Sequence, residues 1–467
     1  MQVIVGATLR VIDPSPELVK WCKDNLTIPN PEYAKKVRMH FWVGNTPKVL
    51  SLYSVDGGDL ILPFGTLRDL PQSVKKTAEF KAEFQPKHEV AFGGSKTPLY
   101  DYQEIAVEAA VKAMYGIIQS AAGSGKTQMG IELIKRLGVK ALWLTHTLDL
   151  LKQSKERAEQ YIDNDLIGTI TEGKVNIGSG VTFATIQTMS KLNLDEYKNT
   201  WDLVIVDECH RVAGSPTAMT QFFKVLNSLA ARHKFGLSAT VHRSDGMIVA
   251  TYALLGHVIY EVPQEAVSDK IMKVGIYPVD TKVGISSACM NSDGTLNYAK
   301  LITYLTKDER RNRFIAQCIE DNEGISSLIL SDRLEHLTTL MNMLPYDMKK
   351  DAVMVSGKMV SKTGKAEREQ AMDDMRTGKK KYLFATYSLA KEGLDIPRLE
   401  RLFLTTPQKD YAVVTQSIGR IARTHDGKGS PIAYDFVDSI GYLIKSYKKR
   451  CTTYKKIGCY WLEGGSS

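Results

Sequence analysis

Val204-Ile205-Val206-Asp207-Glu208-Cys209-His210 reads as a buried apolar strand that runs into two carboxylates. Parallel α/β sheets keep their ligand sites at the C-terminal tips of their strands. This stretch therefore argues for such a sheet and puts acidic chemistry at its edge. About 80 residues upstream, the apolar run 116–119 leads into Ala122-Gly123-Ser124-Gly125-Lys126-Thr127. Strand, glycine turn, Lys-Thr and helix come in the order of a phosphate-binding loop, although Ser120 stands where the strict pattern has glycine. Gly123 and Gly125 let backbone N–H groups close around phosphate, with Ala122 and Ser124 completing the turn. Lys126 is expected to reach the β- and γ-phosphates of ATP, and the Thr127 hydroxyl to ligate Mg²⁺. Asp207 is expected to hold the same Mg²⁺, directly or through water. Glu208 is expected to orient and polarise the attacking water. Cys209 reads as a packing residue, and His210, directly after the carboxylates, joins the catalytic candidates.

A chain of 467 residues exceeds what one core organises, so roughly two to four domains are expected. The hydrophobic share of 43% and charged share of 24% are those of an ordinary globular protein. The formal net charge of +9 favours an acidic partner, with nucleic acid first among them. Six cysteines, at 22, 209, 289, 318, 451 and 459, include no C-x-x-C pair. That spacing argues against a metal cluster or disulfide framework and for a reducing compartment. Met1 is followed by no basic-then-apolar leader, and no apolar run approaches the ~20 residues of a membrane helix. The expected location is the cytoplasm, or a host's cytoplasm if the gene is viral, with no membrane partner.

Residues 1–97 differ from the rest. Gln2–Ile12 reads as a strand, and Ser15 caps a helix with Pro16 at its first position and Leu18, Val19, Cys22 and Leu26 on one face. Strand-like pieces follow at 39–43, 48–55 and 60–62. The expectation is a small α+β accessory domain, with 86–98 as a linker. From Pro98 strands alternate with helices, the signature of βαβ units. Strands are expected at 116–119, 141–145, 181–184, 203–206 and 234–237, then at 327–330, 352–355, 382–385, 401–404 and 432–435. Two such series imply two tandem doubly wound parallel-sheet domains, at 98–262 and 263–467. Arg420 and Arg423 sit one helical turn apart if their segment is helical. They are candidates for neutralising phosphate charge during transfer, which would tie hydrolysis to domain closure.

The ordered set of motifs resembles the superfamily 2 helicases over roughly residues 98–440. Pro98–Gln103 resembles the adenine-reading Q motif, with Gln103 as reader, and residues 121–127 resemble motif I. Thr145–Leu148 resembles motif Ia, and Ala184–Thr188 the following strand-contacting motif. Asp207–His210 is motif II in its DECH spelling, Leu237–Thr240 motif III, and Leu328–Leu337 motif IV. Ala385–Ser388, running on to Glu392–Pro397, resembles motif V, and Gln416–Arg423 motif VI. The run Ser238–Gly246, with Val241 in place of a proline, is similar to that of branch-migration and repair helicases of the XPB and UvsW type. The first 97 residues resemble the accessory domain of that branch. The resemblance implies two RecA-like domains plus the α+β accessory domain, working as a monomer on DNA, forked or branched. It adds Gln416 to the catalytic set and Gly393 and Asp395 to the nucleotide contacts. It also implies nucleic-acid contacts from Arg243 and from Thr145, Thr185, Gln187, Ser331, Arg333, Thr386 and Ser388, each of the last seven being open to a helix-cap reading instead.

The C-terminal stretch 442–460 interleaves tyrosines with Lys445, Lys448, Lys449, Arg450, Lys455 and Lys456. Lys448, Lys449 and Arg450 are expected at a nucleic-acid grip, against the alternative of a solvated amphipathic helix on the second domain. The function expected from all this is ATP-driven remodelling of branched DNA. The alternatives are an RNA helicase with the same engine, a duplex translocase that never separates strands, and a scaffold with an inert nucleotide site.

Overall fold

The apolar runs become the central strands of two parallel sheets in the computed structural model, which describes residues 1–462 apart from 122, 213–215, 240–246, 264, 267–270, 357–361, 392, 393 and 395. The chain divides into two compact units, Met1–Ala121 with Gly125–Pro263, and Gln264–Ser467 with Ala122–Ser124.

In the first unit an eight-stranded sheet runs Lys174–Asn176, Ile167–Thr171, Val181–Thr185, Ala141–Thr145, Leu203–Asp207, His233–Ser238, Tyr115–Gln119 and Val258–Glu261. All neighbours pair in parallel except Lys174–Asn176, a short antiparallel edge. Val181–Thr185, Ala141–Thr145, Leu203–Asp207 and His233–Ser238 are buried along their whole length. A sheet covered on both faces selects continuous apolar strands. Leu203–Asp207 lies between Ala141–Thr145 and His233–Ser238, so Asp207 emerges level with the other strand tips.

The N-terminal residues form a separate five-stranded sheet, ordered Ser54–Asp56, Asp59–Pro63, Thr8–Ile12, Gln2–Val5 and Glu79–Ala82. The expected helix is present as Pro16–Asn25, its N-cap Ser15 Oγ accepting from Leu18 N at 3.2 Å, with Leu18 and Cys22 buried. Gln2–Ile12 is not one strand: it turns at Gly6–Ala7 into an antiparallel pair. Residues 39–43, expected as a strand, form a loop after a helix at Pro31–Arg38.

This sheet shares a core with the larger one. Val3, Leu9, Leu60, Leu62 and Phe64 cluster with Tyr115, Met219, Met247, Ala250 and Ala253. Lys234 crosses the same seam. It is fully buried in His233–Ser238, and its Nζ donates to the carbonyls of Ala7 and Leu226 at 2.8 Å each, 4.8 Å from the Phe64 ring centroid. Burial pushes its pKa down to about 7. The unfolded chain then holds the proton more tightly than the folded one, so stability is expected to rise as pH climbs from about 7 towards the normal lysine value. Lys234→Met removes that rise. Urea melts of both proteins between pH 7 and pH 10 test it: parallel pH profiles would refute a titrating Lys234.

The second unit carries a seven-stranded parallel sheet in the order Ala352–Val355, Tyr382–Thr386, Ser327–Ser331, Arg401–Leu404, Ile432–Val437, Gly275–Asp280 and Tyr460–Trp461. Its two faces bury separate clusters, one around Leu328, Leu383, Leu402 and Ile418, the other around Ile329, Phe384, Phe403 and Phe436. Successive residues along Ser327–Ser331 thus alternate between the faces. Among the described residues no helix is long and apolar enough to cross a membrane.

Candidate active site and nucleic-acid interface

The turn after Tyr115–Gln119 takes left-handed backbone at Gly123, φ 84°, and at Gly125, φ 79°, conformations that favour glycine. Gly125 caps the helix Lys126–Leu137. A Cβ at Gly125 would fall 2.3 Å from Gln103 Nε2, so the Gln103 side chain lies against the phosphate turn. Gln103 Oε1 accepts from Tyr100 N at 2.9 Å, which fixes the amide at the start of the helix Asp101–Ala113. Lys126 is nearly buried. Its Nζ donates to the carbonyls of Ser120 and Ala121 at 3.3 Å each and lies 4.0 Å from Glu208 Oε1. These are long contacts for an ammonium, which suits a group that takes an anion as its main partner. Thr127 follows, half-buried, in the first turn of the same helix.

Asp207 ends its strand with Oδ1 accepting from Glu208 N at 2.9 Å and Oδ2 accepting from Ser154 Oγ at 3.3 Å. Burial pushes its pKa up to about 7; the charge of Glu208 adds to this and that of Lys126 opposes it. Glu208 adopts φ 49°, ψ 50°, left-handed backbone that costs a non-glycine residue about 1–2 kcal/mol. The turn sends its carboxylate back over the sheet tips, with Oε2 3.2 Å from His210 Nδ1. His210 Nδ1 is also 3.0 Å from Ser238 Oγ at the end of the neighbouring strand. One imidazole therefore joins the Asp-Glu strand to the Ser-Ala-Thr strand. Cys209 is a packing residue, as expected: it is fully buried, and a Cβ on Gly236 would fall 2.7 Å from its sulfur.

Ser154 and its bond to Asp207 were not foreseen. The signal was present, because Leu151, Ser154 and Ala158 form the buried stripe of the helix Leu148–Ala158. Ala122, Arg243, Gly393 and Asp395 lie outside the described residues.

In the second unit, Gln416 is buried on the helix Tyr411–Ile421. Arg420 Nε donates to the Ala390 carbonyl at 3.1 Å and Nη1 to that of Leu394 at 3.0 Å. The helical-turn argument for Arg423 does not hold. The helix ends at Ile421, and Arg423 forms an antiparallel bridge with Ile271.

The nucleic-acid candidates divide. Arg333, Thr386 and Ser388 line a cleft of about 1130 Å³ in the second unit, together with Lys307 and Ser356. Ser331 sits behind them, fully buried, 2.9 Å from His336 Nδ1 and accepting from Arg333 N at 3.1 Å. His336 Nε2 lies 2.9 Å from Asn312 Oδ1, and burial keeps the ring neutral, its pKa pushed down to about 3. In this structure the Ser331 side chain thus bonds within the cleft wall. Thr145 is also buried and donates to the Thr147 carbonyl at 3.0 Å. Thr185 bonds Thr188 at 2.9 Å, and Gln187 Nε2 donates to the His146 carbonyl at 2.8 Å, tying the short helix Ile186–Met189 to the bend after Ala141–Thr145.

The basic helix is Gly441–Lys456. Lys445, Lys448, Lys449, Lys455 and Lys456 are exposed, while Leu443, Ser446, Arg450, Thr453 and Tyr454 are buried. Arg450 stands apart from the lysines: its Nε and Nη2 donate to the two Asp435 oxygens at 2.8 Å each and Nη1 to the Gln408 carbonyl at 2.7 Å, so the guanidinium is held on the buried side.

The motif order has counterparts in known proteins. A model of the type III restriction enzyme res subunit matches residues 96–243, and one of the helicase conserved C-terminal domain matches residues 310–425. The two cover more than half of the chain. The chain belongs to the superfamily 2 helicases. It is similar to a putative ATP-dependent RNA helicase of Acanthamoeba polyphaga mimivirus, 26% identical over 79% of this chain and 69% of the relative. A DNA 3'-5' translocase XPB2 of Sulfurisphaera tokodaii is 26% identical over 71% of this chain and 80% of the relative. The ATP-dependent DNA helicase uvsW of Enterobacteria phage T4 is 22% identical over 78% of this chain and 73% of the relative. Membership makes the chain an ATP-hydrolysing helicase.

Proposed function

We propose that this helicase remodels branched DNA, such as forks and four-way junctions, as a cytoplasmic monomer. The observation that carries the motor reading is the array at one sheet edge: Lys126, Asp207, Glu208, His210 and Ser238 meet on adjoining strand tips and the phosphate-turn helix. In this reading Lys126 holds the β- and γ-phosphates, and Thr127 and Asp207 hold a magnesium ion. The raised Asp207 pKa fits that role, since a divalent cation offsets the burial that disfavours its charge. Glu208 accepts the proton of the attacking water. Arg420, Arg423 and Gln416 keep the catalytic roles that the motif resemblance implies, the two arginines as candidates for neutralising phosphoryl charge. The names of two relatives, a DNA translocase and a DNA helicase, support DNA as the track.

Phosphate contacts position a strand without reading its sequence. Arg333, Thr386 and Ser388 in the second-unit cleft and the exposed Lys448 and Lys449 are assigned to that work. Lys448→Ala with Lys449→Ala is expected to reduce the slope of log affinity against log salt by about 1–2. An unchanged slope would leave the helix with a packing role alone. The RNA reading retains one specific support, the mimiviral relative's name. Steady-state ATPase at fixed salt with single strands, duplex, forks, four-way junctions and structured RNA decides the matter. Stimulation by forks and junctions over RNA supports the proposal, and stimulation mainly by RNA overturns it.

A further inference from the structure

The N-terminal sheet region presents a pair of adjacent aromatic rings on its outside. Trp42 is 87% exposed, and Phe41 beside it is 59% exposed. Both sit in the excursion between the paired strands Thr27–Pro29 and Val49–Ser51, which holds the helix Pro31–Arg38 and a loop. The helix buries none of its residues.

The loop is built rather than slack. Asn30 anchors both ends: its Oδ1 accepts from Glu32 N at 3.0 Å and its Nδ2 donates to the Pro47 carbonyl at 2.8 Å. The helix closes with Phe41 N donating to the Lys36 carbonyl at 2.9 Å and His40 N to that of Val37 at 3.1 Å. This places His40 in left-handed backbone, φ 53°. That closure turns the chain outward at Phe41 and Trp42. Lys36 Nζ donates to Thr46 Oγ1 at 2.6 Å and braces the far side. Gly44, φ 50°, passes under the indole, and a Cβ there would fall 2.8 Å from Trp42 Cζ3. The Gly44 backbone thus runs close beside the indole, most of which is open to solvent. Among the described residues no aromatic or cationic side chain caps it.

Charge identifies what would cover it. Within residues 30–48 the excursion carries Lys35, Lys36, Arg38 and Lys48 against Glu32 alone. Lys35, Arg38 and Lys48 are exposed, and none of the three meets a carboxylate among the described residues. A shallow groove of about 320 Å³ runs from Trp42 along Asn45 and Pro47 to Leu50. A purely apolar partner would leave those cations unmatched. A polyanion whose units also carry flat rings matches both features.

We propose that the Phe41–Trp42 loop is a stacking platform for an unpaired base of the nucleic-acid substrate, with Lys35, Arg38 and Lys48 on the adjoining phosphates. This deepens the nucleic-acid reading above and rests on it. A duplex keeps its bases stacked on each other, so the platform selects single-stranded segments.

The test uses the full chain, a fluorescein-labelled oligothymidine of about 20 nucleotides and a blunt duplex of equal length, followed by anisotropy. Trp42→Ala is expected to weaken single-strand binding about tenfold and duplex binding much less. Trp42→Phe retains a ring and recovers most of that affinity, while losing the indole quenching that the bound strand causes in the wild type. A melting temperature equal to that of the wild type shows that Trp42→Ala folds. If the wild type binds the oligonucleotide and Trp42→Ala binds it equally well, the platform is overturned and the helicase reading stands. If the wild type binds neither probe, the nucleic-acid reading itself fails.

Discussion

Glu208→Gln is expected to lower ATP turnover by about 10³-fold while leaving ATP binding in place, the size of effect seen when a positioned base is removed. The backbone supplies the reason to single out Glu208. Left-handed φ at a glutamate is a standing cost, and the strand pairing beneath Asp207 together with the 3-10 turn Cys209–Arg211 holds it there. Glutamine keeps the shape and the 3.2 Å approach to His210 but cannot take a proton. The Lys126 ammonium and the Asp207 carboxylate stay in place, although both lose a neighbouring negative charge. Single-turnover hydrolysis and equilibrium binding of a fluorescent ATP analogue separate the two effects. Unaltered turnover would remove Glu208 from the mechanism. Lost nucleotide binding with a proportionate loss of turnover would make it a binding group instead.

The parts of this molecule legible from its sequence are those where one physical signal dominates. Leu203–Asp207 and Ser327–Ser331 are buried on both faces, so continuous apolar runs marked them without competition. The phosphate turn was legible because left-handed backbone left glycine at Gly123 and Gly125. Residues 39–43 misled because Phe, Trp and Val have high strand propensity, whereas the structure uses two of those rings on the outside. The helix before them, Pro31–Arg38, was missed because it buries nothing and so has no apolar stripe. Asn30 at its N-cap and Pro31 at its first position were the remaining signals. Arg450 parts from the neighbouring lysines for a different reason. Charge was summed along the segment, but a helix sorts residues by angle. Leu443, Ser446, Arg450, Thr453 and Tyr454 recur at helical spacing on the buried side, away from the lysines.

Replacing that arginine tests the distinction most sharply. Arg450→Met is expected to destabilise the second unit by about 3–5 kcal/mol, because a buried carboxylate loses its cation. Asp435 is almost wholly enclosed, and after the change only the Tyr454 hydroxyl, 2.8 Å from Oδ2, still donates to it from the side chains that hold it now. The Gln408 carbonyl loses its donor as well. Two strand neighbours feel the loss, since Asp435 lies in Ile432–Val437, between Arg401–Leu404 and Gly275–Asp280. Lys449→Ala, one residue earlier but on the exposed side, is expected to change stability by no more than about 0.5 kcal/mol. Adding Asp435→Leu to Arg450→Met should restore part of the loss, because the uncompensated charge goes with it. Hydrogen exchange across residues 432–437 reads the unit's stability directly, and DNA affinity measured on the same proteins reads the alternative. Were Arg450 a phosphate contact, Arg450→Met would weaken DNA binding with exchange unchanged. Were it the buried tie seen here, exchange would accelerate in Arg450→Met and stay at the wild-type rate in Lys449→Ala.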